Sequence, residues 1–371
     1  MKAIVSVTND LYTDQRVHKV CTFIQSQGYE VLLVGRLRKD SKELERTYQT
    51  KRFRLPFDKG PLFYASYSFR LFWFLLFSKC DVLVSNDLDT LLPNYLASKI
   101  KSKKLVYDSH EYFTEVPELV NRPKVQAIWE RIEGFIFPKL KHVYTVNQSI
   151  AYKYENKYGV PLLVVRNISP KWNSTLVKTK KELGIPENKF VLIFQGAGIN
   201  IDRGGEEAVK SMQYLKDAVL LFVGDGDVVP YLKKLTAELN LEKSVFFFGK
   251  RPYLEMMNFT HHADLGITLD KNTNINYRFS LPNKVFDYMH ANTPILASDL
   301  IEVKKVVVGY DIGMITPTHD PMELGNIIQK IQNSPHQLVR WKENCVKASL
   351  IENWESEVRK LEAFYPNVKT E

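Results

Sequence analysis

Residues 190–215 read FVLIFQGAGINIDRGGEEAVKSMQYL, a short apolar run that passes through a glycine-rich turn into an amphipathic stretch. The run 190–194 has the length of a buried strand, and 208–215 has the spacing of a helix that packs against it. Apolar strands without polar alternation, joined by helices, are typical of a parallel sheet covered on both faces. This stretch therefore predicts an α/β fold.

The same alternation extends in both directions along the chain. Before the quoted stretch we predict strands at 4–7, 31–34, 82–84, 104–107 and 143–146, with helices at 17–27, 64–78, 91–100 and 125–140. After it we predict strands at 218–223, 245–248, 265–269 and 294–298, with helices at 230–239 and 283–290. The pattern restarts after a polar, proline-containing stretch, which predicts a linker at 166–186 and two doubly wound α/β domains.

A chain of 371 residues has the length of two domains. We place the first domain at 1–168, the second at 169–352 and a helical tail at 353–371, where Trp354, Val358 and Leu361 repeat at helical spacing. Two such sheets that face each other leave a cleft at the carboxyl ends of their strands, and a ligand is expected there.

The composition excludes several protein classes. With 44% hydrophobic and 25% charged residues, the chain is neither disordered nor collagen-like. Its three cysteines lie far apart, which argues against a disulfide framework or a zinc site. The first residues form an apolar strand rather than a signal peptide, and no uncharged run reaches the ~18 residues of a membrane span. We expect a cytoplasmic protein.

The net charge of +9 lies entirely in the first half, where residues 1–170 hold 26 Lys and Arg against 17 Asp and Glu. Such a field attracts anionic partners, namely phospholipid, lipid diphosphate or an acidic glycan, although a solvated charged face remains the alternative. Together with the aromatic stretch 63–77, it suggests peripheral contact with an anionic membrane, at the inner face of the plasma membrane. No nucleic-acid motif is present, so we expect no nucleic-acid partner.

The glycine turn at 196–205 has the chemistry of a phosphate site. Glycines allow backbone N–H groups to approach a phosphate, and Arg203 can donate a charge-assisted pair of hydrogen bonds to a diphosphate. The spacing fits neither a dinucleotide fingerprint nor a P-loop. The alternative is a tight strand-to-helix turn with a surface arginine.

The stretch SLPNKVFDYM, residues 280–289, carries a more specific signal. Pro282 and Asn283 stand where a helix should begin, which places Lys284 in its first turn. A cation there opposes the helix dipole, but it suits a bound diphosphate. Asp287 follows one turn later on the same face, where it can accept hydrogen bonds from a ribose diol. The alternative is an exposed Lys–Asp pair of little energetic value.

Taken in order, these motifs resemble those of the retaining glycosyltransferases of family 4, which have the GT-B fold of two Rossmann-like domains facing across a cleft. The resemblance spans nearly the whole chain, and the tail around Trp354 is similar to the family's final helix, which returns to the first domain. The segments that carry it lie at 14–17, 86–93, 106–111, 196–205, 223–226, 245–249 and 281–289.

The resemblance implies a donor site in the second half. Arg203 and Lys284 would hold the diphosphate, and Asp287 matches the second acid of the family's Glu-x7-Glu motif, which holds the ribose. Phe279 stands where the family has the first acid. Three nearby residues, Asp270, Asn274 and Asn276, are candidates to make the contact of that acid instead. The implied donor-binding residues are Gly198, Arg203, Gly226, Lys250, Arg251, Ser280, Pro282, Asn283, Lys284 and Asp287.

In the first half the resemblance implies an acceptor side. His110 matches the family's histidine near the donor sugar, and with Arg203 and Lys284 it completes the expected catalytic set; capping of a strand end is its alternative role. The implied reaction requires no dedicated base; Asp108 and Glu111 are the candidates if one acts, and otherwise they would orient the acceptor or cap the helix after Tyr107. The implied acceptor-side residues are Asp14, Arg16, Asp87, His110 and Glu111.

The implied activity is transfer of a sugar from a nucleoside diphosphate sugar to a glycan or lipid-linked acceptor, with retention of anomeric configuration. UDP or GDP would be the carrier, and no further cofactor is expected. Asp87 and Asp89 form an Asp-x-Asp pair, but they lie in the wrong half for a diphosphate-bound metal, so no metal is expected. The alternatives are a non-hydrolysing nucleotide-sugar epimerase and a non-catalytic protein that binds sugar nucleotides or anionic membranes.

Overall fold

The computed structural model describes residues 1–12, 14–172 and 177–368. The chain forms two compact units, one of Met1–Asn167 with Glu357–Glu371 and the other of Ile168–Ser356. Part of the predicted linker, residues 173–176, lies outside the described residues, as do residues 369–371 of the predicted tail.

The first unit is built on a seven-stranded parallel sheet with the order β3-β2-β1-β4-β5-β6-β7. This order reverses direction at β1, as in a doubly wound fold. Its strands are β1 (Lys2–Asp10), β2 (Glu30–Arg36), β3 (Gln49–Phe53), β4 (Val82–Asn86), β5 (Lys104–Ser109), β6 (Val143–Thr145) and β7 (Leu163–Val164). Its helices are α1 (Gln15–Ser26), α2 (Pro61–Phe77), α3 (Leu88–Lys101), α4 (Pro117–Val120), α5 (Pro123–Ile136) and α6 (Gln148–Tyr158).

The second unit repeats the design with a six-stranded parallel sheet in the order β10-β9-β8-β11-β12-β13. Its strands are β8 (Phe190–Gly196), β9 (Ala218–Gly224), β10 (Val245–Gly249), β11 (Leu265–Thr268), β12 (Ile295–Ser298) and β13 (Gly313–Thr316). Its helices are α7 (Lys180–Leu183), α8 (Gly205–Ser211), α9 (Val229–Glu238), α10 (Tyr253–His261), α11 (Ile275–Arg278), α12 (Lys284–His290), α13 (Ile301–Gly309), α14 (Pro321–Gln332), α15 (Pro335–Ile351) and α16 (Trp354–Glu357).

Strand β8 shows why these apolar runs form buried strands. Val191 and Ile193 enter the core on one face of the sheet, while Leu192 and Phe194 enter the core on the other. Side chains alternate between faces along a strand, so a strand covered on both faces is apolar over a continuous run, here 190–194. The prediction of two doubly wound α/β domains is confirmed, because each unit has such a sheet between helices.

The predicted helical tail at 353–371 is not one continuous α-helix. An α-helix covers only Trp354–Glu357, and Val358–Ala363 continues as a 3-10 helix. The tighter form has three residues per turn and aligns Val358 with Leu361, and both are buried. Among the residues that the structure describes, no helix is long and apolar enough to cross a membrane.

Candidate active site

Two glycine-rich loops in the second unit lie against each other at the carboxyl ends of β8 and β9. A Cβ on Gly226 would lie 2.2 Å from the carbonyl oxygen of Ile199, and one on Gly224 would lie 1.8 Å from that of Gly196. Gly224 also holds a φ of 140°. Glycine at these two positions is therefore required by the close approach of the two backbones.

The tip of the first loop is open. A Cβ on Gly198 would meet nothing closer than the Asn200 amide nitrogen, at 3.6 Å, and Gly198 is exposed. The loop is tied to the end of β11, because the Lys271 N–H donates to the Asp202 carbonyl at 2.8 Å. This bond brings the residue after Asp202, the predicted phosphate-binding Arg203, close to the residues that follow β11.

Arg203 and Lys284, the two predicted diphosphate ligands, both lie against the buried carboxylate of Asp270. Nη1 of Arg203 lies 2.7 Å from its Oδ1, and Nζ of Lys284 lies 3.8 Å from its Oδ2. Thr268 donates to the same carboxylate at 3.0 Å. Burial alone would raise the pKa of Asp270, but the two cations outweigh it and lower that pKa. Two positive charges thus share one negative charge.

The side chains of both cations are held by aromatic rings. The Arg203 guanidinium lies 4.3 Å from the centre of the Tyr277 ring, and the Lys284 ammonium lies 4.6 Å from that of Phe194. Among the described residues, Nε of Arg203 is buried without a hydrogen-bond partner. Burial lowers the pKa of Lys284. The cluster therefore carries excess positive charge and an unused donor, which an anion can satisfy.

Helix α12 begins at Lys284, as the sequence predicts. The Pro282 and Asn283 carbonyls accept from the first-turn N–H groups of Val285 and Asp287. Before the helix, the Ser280 hydroxyl donates to the Tyr277 carbonyl at 2.9 Å. The residues before Lys284 thus form a hydrogen-bonded turn.

Asp287 is buried among three donors and has different neighbours from Lys284. Its Oδ1 accepts from the hydroxyls of Ser169 at 2.6 Å and Tyr253 at 3.1 Å, and its Oδ2 accepts from the Gln195 amide at 3.2 Å. Burial raises the pKa of Asp287. The alternative of an exposed Lys–Asp pair on one helix face is wrong, because Asp287 is 5% exposed and Lys284 is paired with Asp270.

The basic pair after β10 is exposed. Nε of Arg251 donates to the Phe248 carbonyl at 2.9 Å, and its Nη1 lies 3.3 Å from Glu255. Lys250 precedes it on the surface. Arg251 thus closes the turn between β10 and α10.

In the first unit, the carboxyl ends of β4 and β5 carry a largely buried charge network centred on His110, whose side chain is 19% exposed. Its Nδ1 lies 3.2 Å from Asp87, its Nε2 lies 3.1 Å from Asp108, and its backbone N–H donates to Asp87 at 2.9 Å. Arg16 binds Asp108 through Nη2 at 2.8 Å and Nε at 3.2 Å, and donates to the Val165 carbonyl at 3.1 Å. Four charged side chains thus form a continuous chain.

The network sets the protonation of His110. Burial alone lowers its pKa, but the carboxylates of Asp87 and Asp108 outweigh burial and raise it to about 9. Burial likewise raises the pKa of Asp108, but Arg16 and His110 outweigh it and hold that pKa at about 2. At neutral pH, His110 is therefore an imidazolium that donates from both nitrogens, and it has no free lone pair with which to act as a base.

The two acids of the Asp-x-Asp pair have separate partners. Asp87 binds His110, whereas Asp89 is buried and accepts from the Thr8 hydroxyl. Burial, with the Asp87 charge, raises the pKa of Asp89 to about 7. In the described parts of the chain, no group of three or more His, Cys, Asp or Glu side chains is arranged to hold a metal ion.

Of the remaining predicted acceptor-side residues, Asp14 caps a helix. Its side chain accepts from the Val17 N–H at 3.1 Å, which satisfies a donor at the start of α1. The Glu111 carbonyl accepts from the Ser109 hydroxyl at 2.8 Å, and Glu111 is exposed. The structure thus joins Arg16, Asp87 and His110 into one network and leaves Asp14 and Glu111 at its margin.

Both halves of the chain match families of known proteins. Residues 177–347 match the family model of the glycosyl transferases group 1, and residues 14–168 match that of glycosyltransferase family 4. The chain is a glycosyltransferase. A comparison with curated proteins finds none that matches.

Solved structures place the glycosyltransferase in the GT-B fold. A glycosyltransferase from Rickettsia africae is 14% identical with a TM-score of 0.78, covering 98% of this chain and 97% of its own. Sucrose-phosphate synthase from Thermosynechococcus elongatus is 14% identical with a TM-score of 0.77, covering 100% and 99%. Anabaena Alr3699/HepE in complex with UDP is 16% identical with a TM-score of 0.75, covering 100% of both chains.

Sequence reasoning missed several partners in the glycosyltransferase. Ser169, Gln195 and Tyr253 surround Asp287 from positions 118, 92 and 34 residues away. None of them stands in a motif with Asp287. Their sequence signal is position: Gln195 is the second-last residue of β8, and Ser169 lies in the polar stretch between the two repeats of the pattern.

The His110 network predicts a pH-dependent stability. Because the folded pKa of about 9 exceeds the ordinary value of 6.5, the protonated ring stabilises the fold fully below pH 6.5, and this stabilisation is lost as the pH rises through 9. The free energy of unfolding should fall by on the order of 3 kcal/mol over that range. Urea unfolding at several pH values measures it. His110→Gln should abolish this decrease in the free energy of unfolding, whereas substitution of the exposed His336, His336→Gln, should leave it unchanged. A wild-type free energy of unfolding that does not change with pH would contradict the raised pKa of His110.

Proposed function

We propose that the protein transfers a sugar from a nucleoside diphosphate sugar to a glycan or lipid-linked saccharide, with retention of configuration and without a metal ion. The observation that carries the proposal is the convergence of Arg203 and Lys284 on Asp270 at the carboxyl end of the second sheet. One carboxylate fixes both cations and leaves a net positive charge. This arrangement suits the diphosphate of a donor.

The other donor contacts follow from the positions of the predicted residues. The open tip at Gly198 would approach the phosphates through its backbone, and the turn at Ser280, Pro282 and Asn283 would line the path to Lys284. Asp287 would accept from the ribose diol, with Ser169 and Tyr253 orienting its carboxylate. Backbone groups at Lys250 and Arg251 would meet the base.

Asp270 is also our choice among the three candidates for the missing first acid of the Glu-x7-Glu motif. Asn274 caps α11 by accepting from the Tyr277 N–H at 2.9 Å, so its side-chain oxygen is engaged. Asp270 instead contacts both proposed phosphate ligands. It would set their separation and would lie beside the transferred sugar.

The proposed reaction breaks the bond between the anomeric carbon and the leaving phosphate oxygen. The acceptor hydroxyl attacks the same face, the new glycosidic bond forms, and the leaving phosphate takes the hydroxyl proton. Negative charge grows on that phosphate in the transition state, so fixed cations stabilise the transition state more than the ground state. No protein base is required, which agrees with an imidazolium at His110.

In the first unit, Asp87 and His110 would contact the acceptor or the transferred sugar, with Arg16 holding Asp108 and thereby the orientation of His110. Arg16 is buried, so we assign it this positioning role rather than contact with the acceptor. UDP is the first donor nucleotide to test, because a structural neighbour, Anabaena Alr3699/HepE, is solved with UDP, with UDP and glucose, and with UDP-glucose. GDP is the second.

The test is the configuration of the first product. Thermal-shift measurements with UDP, GDP, ADP and CMP identify the carrier, since the tightest nucleotide raises the melting temperature most. The corresponding α-linked sugar nucleotide is then hydrolysed with EDTA present, and proton NMR follows the released sugar before it mutarotates. We expect the α anomer at a rate that EDTA does not change. A β product, dependence on added metal, or interconversion of sugar nucleotides without transfer would overturn the proposal.

A further inference from the structure

Helix α2 is apolar on both of its faces. Its inner face packs on the first sheet through a stripe at spacings of four residues: Phe63, Tyr67, Leu71 and Leu75, all buried. Among its 17 residues the single charged side chain is Arg70. A surface helix of a globular protein normally turns a polar face to water. The apolar outer face of α2 is therefore unusual for a helix that contacts only solvent on that side.

That outer face forms an aromatic stripe. Leu62, Phe69, Trp73 and Phe77 are 59%, 68%, 43% and 79% exposed. The Trp73 ring stacks on Phe77 with centroids 5.8 Å apart, and Phe69 meets Trp73 edge-on at 6.2 Å. Contiguous exposed apolar surface of this kind marks a site of interaction with another molecule.

Positive charge surrounds the stripe. Residues 49–80 hold six cations, Lys51, Arg52, Arg54, Lys59, Arg70 and Lys79, against one acid, Asp58. A cavity of about 530 Å³ opens at the end of α2, and the residues that line it include Phe74, Ser78 and three lysines, Lys2, Lys51 and Lys79. Lys2 is paired with Glu30, and the described residues that line the cavity include no acid.

The positive region continues along the edge of the sheet where β4 and β5 begin. Val82 and Lys104 pair across these strands, so the residues just before them lie at the same edge. A second cavity of about 310 Å³ at this edge is lined by five lysines and a histidine: Lys99, Lys103, Lys104, Lys139, Lys141 and His142. Lys99 and Lys101 in the last turn of α3 complement its dipole. Lys103 pairs with Asp81 at 3.6 Å, and Lys104 donates to the Phe364 carbonyl. Lys139 and Lys141 add further positive charge at this edge.

We propose that the aromatic stripe of α2 and the adjoining lysine-rich edge dock the protein on an anionic phospholipid leaflet. Trp and Phe side chains enter the headgroup region from a helix that lies on the surface, and lysines beside it bind lipid phosphates. Charge favours this occupant over a second copy docked through the same face, because such a pair would place these lysines against each other. The inference does not depend on the donor chemistry.

Co-sedimentation with vesicles tests the proposal. The protein should bind vesicles of phosphatidylcholine with phosphatidylglycerol, release from them as salt rises, and ignore phosphatidylcholine alone. The triple variant F69S/W73S/F77S should bind at least about tenfold more weakly. The matched control L254S/L350S alters two exposed leucines of the second unit, 69% and 65% exposed, and should bind normally.

Two further measurements separate the components. Lys51→Ala with Lys79→Ala should weaken binding and its salt dependence, while exposed Lys243→Ala with Lys347→Ala should not. Brominated lipid should quench wild-type tryptophan fluorescence more than that of Trp73→Phe. Donor hydrolysis without vesicles should be unchanged in every variant, which separates this proposal from the catalytic one. Equal binding to neutral vesicles, or normal binding by the triple variant, would overturn the proposal. So would a wild-type protein that binds no vesicles and forms a dimer in solution that the triple variant does not form.

Discussion

Lys284→Met is expected to lower kcat about 10²–10³-fold, the usual cost of removing one group that stabilises a developing oxyanion. Methionine keeps the apolar length of the side chain and removes the ammonium group, which lies over the Phe194 ring. Asp270 retains Arg203 at 2.7 Å, so the buried carboxylate is not left unpaired and the fold should persist. Arg203→Met should cost as much, and Arg203→Lys should recover part of the loss because it restores charge without the paired donors.

Initial rates of donor hydrolysis measure these effects, and thermal melting checks the fold. The control is Lys234→Met on α9, whose side chain is 75% exposed and paired with Glu238 at 3.5 Å. It removes a lysine from the same unit and should leave kcat unchanged. If Lys284→Met and Arg203→Met both turn over at the wild-type rate with the fold intact, neither residue binds the diphosphate.

Arg16→Met is expected to lower the free energy of unfolding by about 3–5 kcal/mol, as breaking a buried ion pair does. The Arg16 side chain is 5% exposed and that of Asp108 is fully buried. Removing the guanidinium leaves Asp108 with His110 as its remaining charged partner. It also removes the hydrogen bond from Arg16 to the Val165 carbonyl. The pKa of Asp108, now about 2, should rise because its main source of positive charge is gone.

Urea unfolding and thermal melting measure this loss, which corresponds to a decrease in Tm of roughly 6–20 °C for a unit of this size. The matched control is Arg38→Met in the same unit. Arg38 pairs with Asp40 at 3.1 Å, but their side chains are 49% and 74% exposed, so its removal should cost under ~1 kcal/mol. Equal effects of the two substitutions would mean that burial does not strengthen the Arg16 pair.

The sequence predicted the central strands well and an edge strand not at all. β4 and β8 are buried on both faces, so most of their positions are apolar, and the runs 82–84 and 190–194 can be recognised in the sequence. β3 reads Gln-Thr-Lys-Arg-Phe and only Phe53 is buried. β3 lies at the edge of the sheet, where exposed polar and charged side chains are accommodated. It therefore lacks the apolar run from which a strand could be predicted.

The candidate site shows the same division. Arg203 and Lys284 could be named from a glycine turn and a helix start, because both signals lie within a few residues. Our proposal of Asp270 among the three candidates rests on its contact with Arg203 across 67 residues of chain, which the sequence does not predict. The protonation of His110 also needed it, because burial and two carboxylates act on the ring in opposite directions.

The sequence by itself determined the α/β class, the two repeats of the pattern and the loops that carry the candidate donor site. These depend on periodicity, glycine turns and helix starts, which act over one or two turns of chain. The tertiary structure decided which acid neutralises which cation, as in the pairing of Arg16 with Asp108 across 92 residues. Such pairings follow from strand order and burial, because only the folded sheet brings those residues together and removes water from between them.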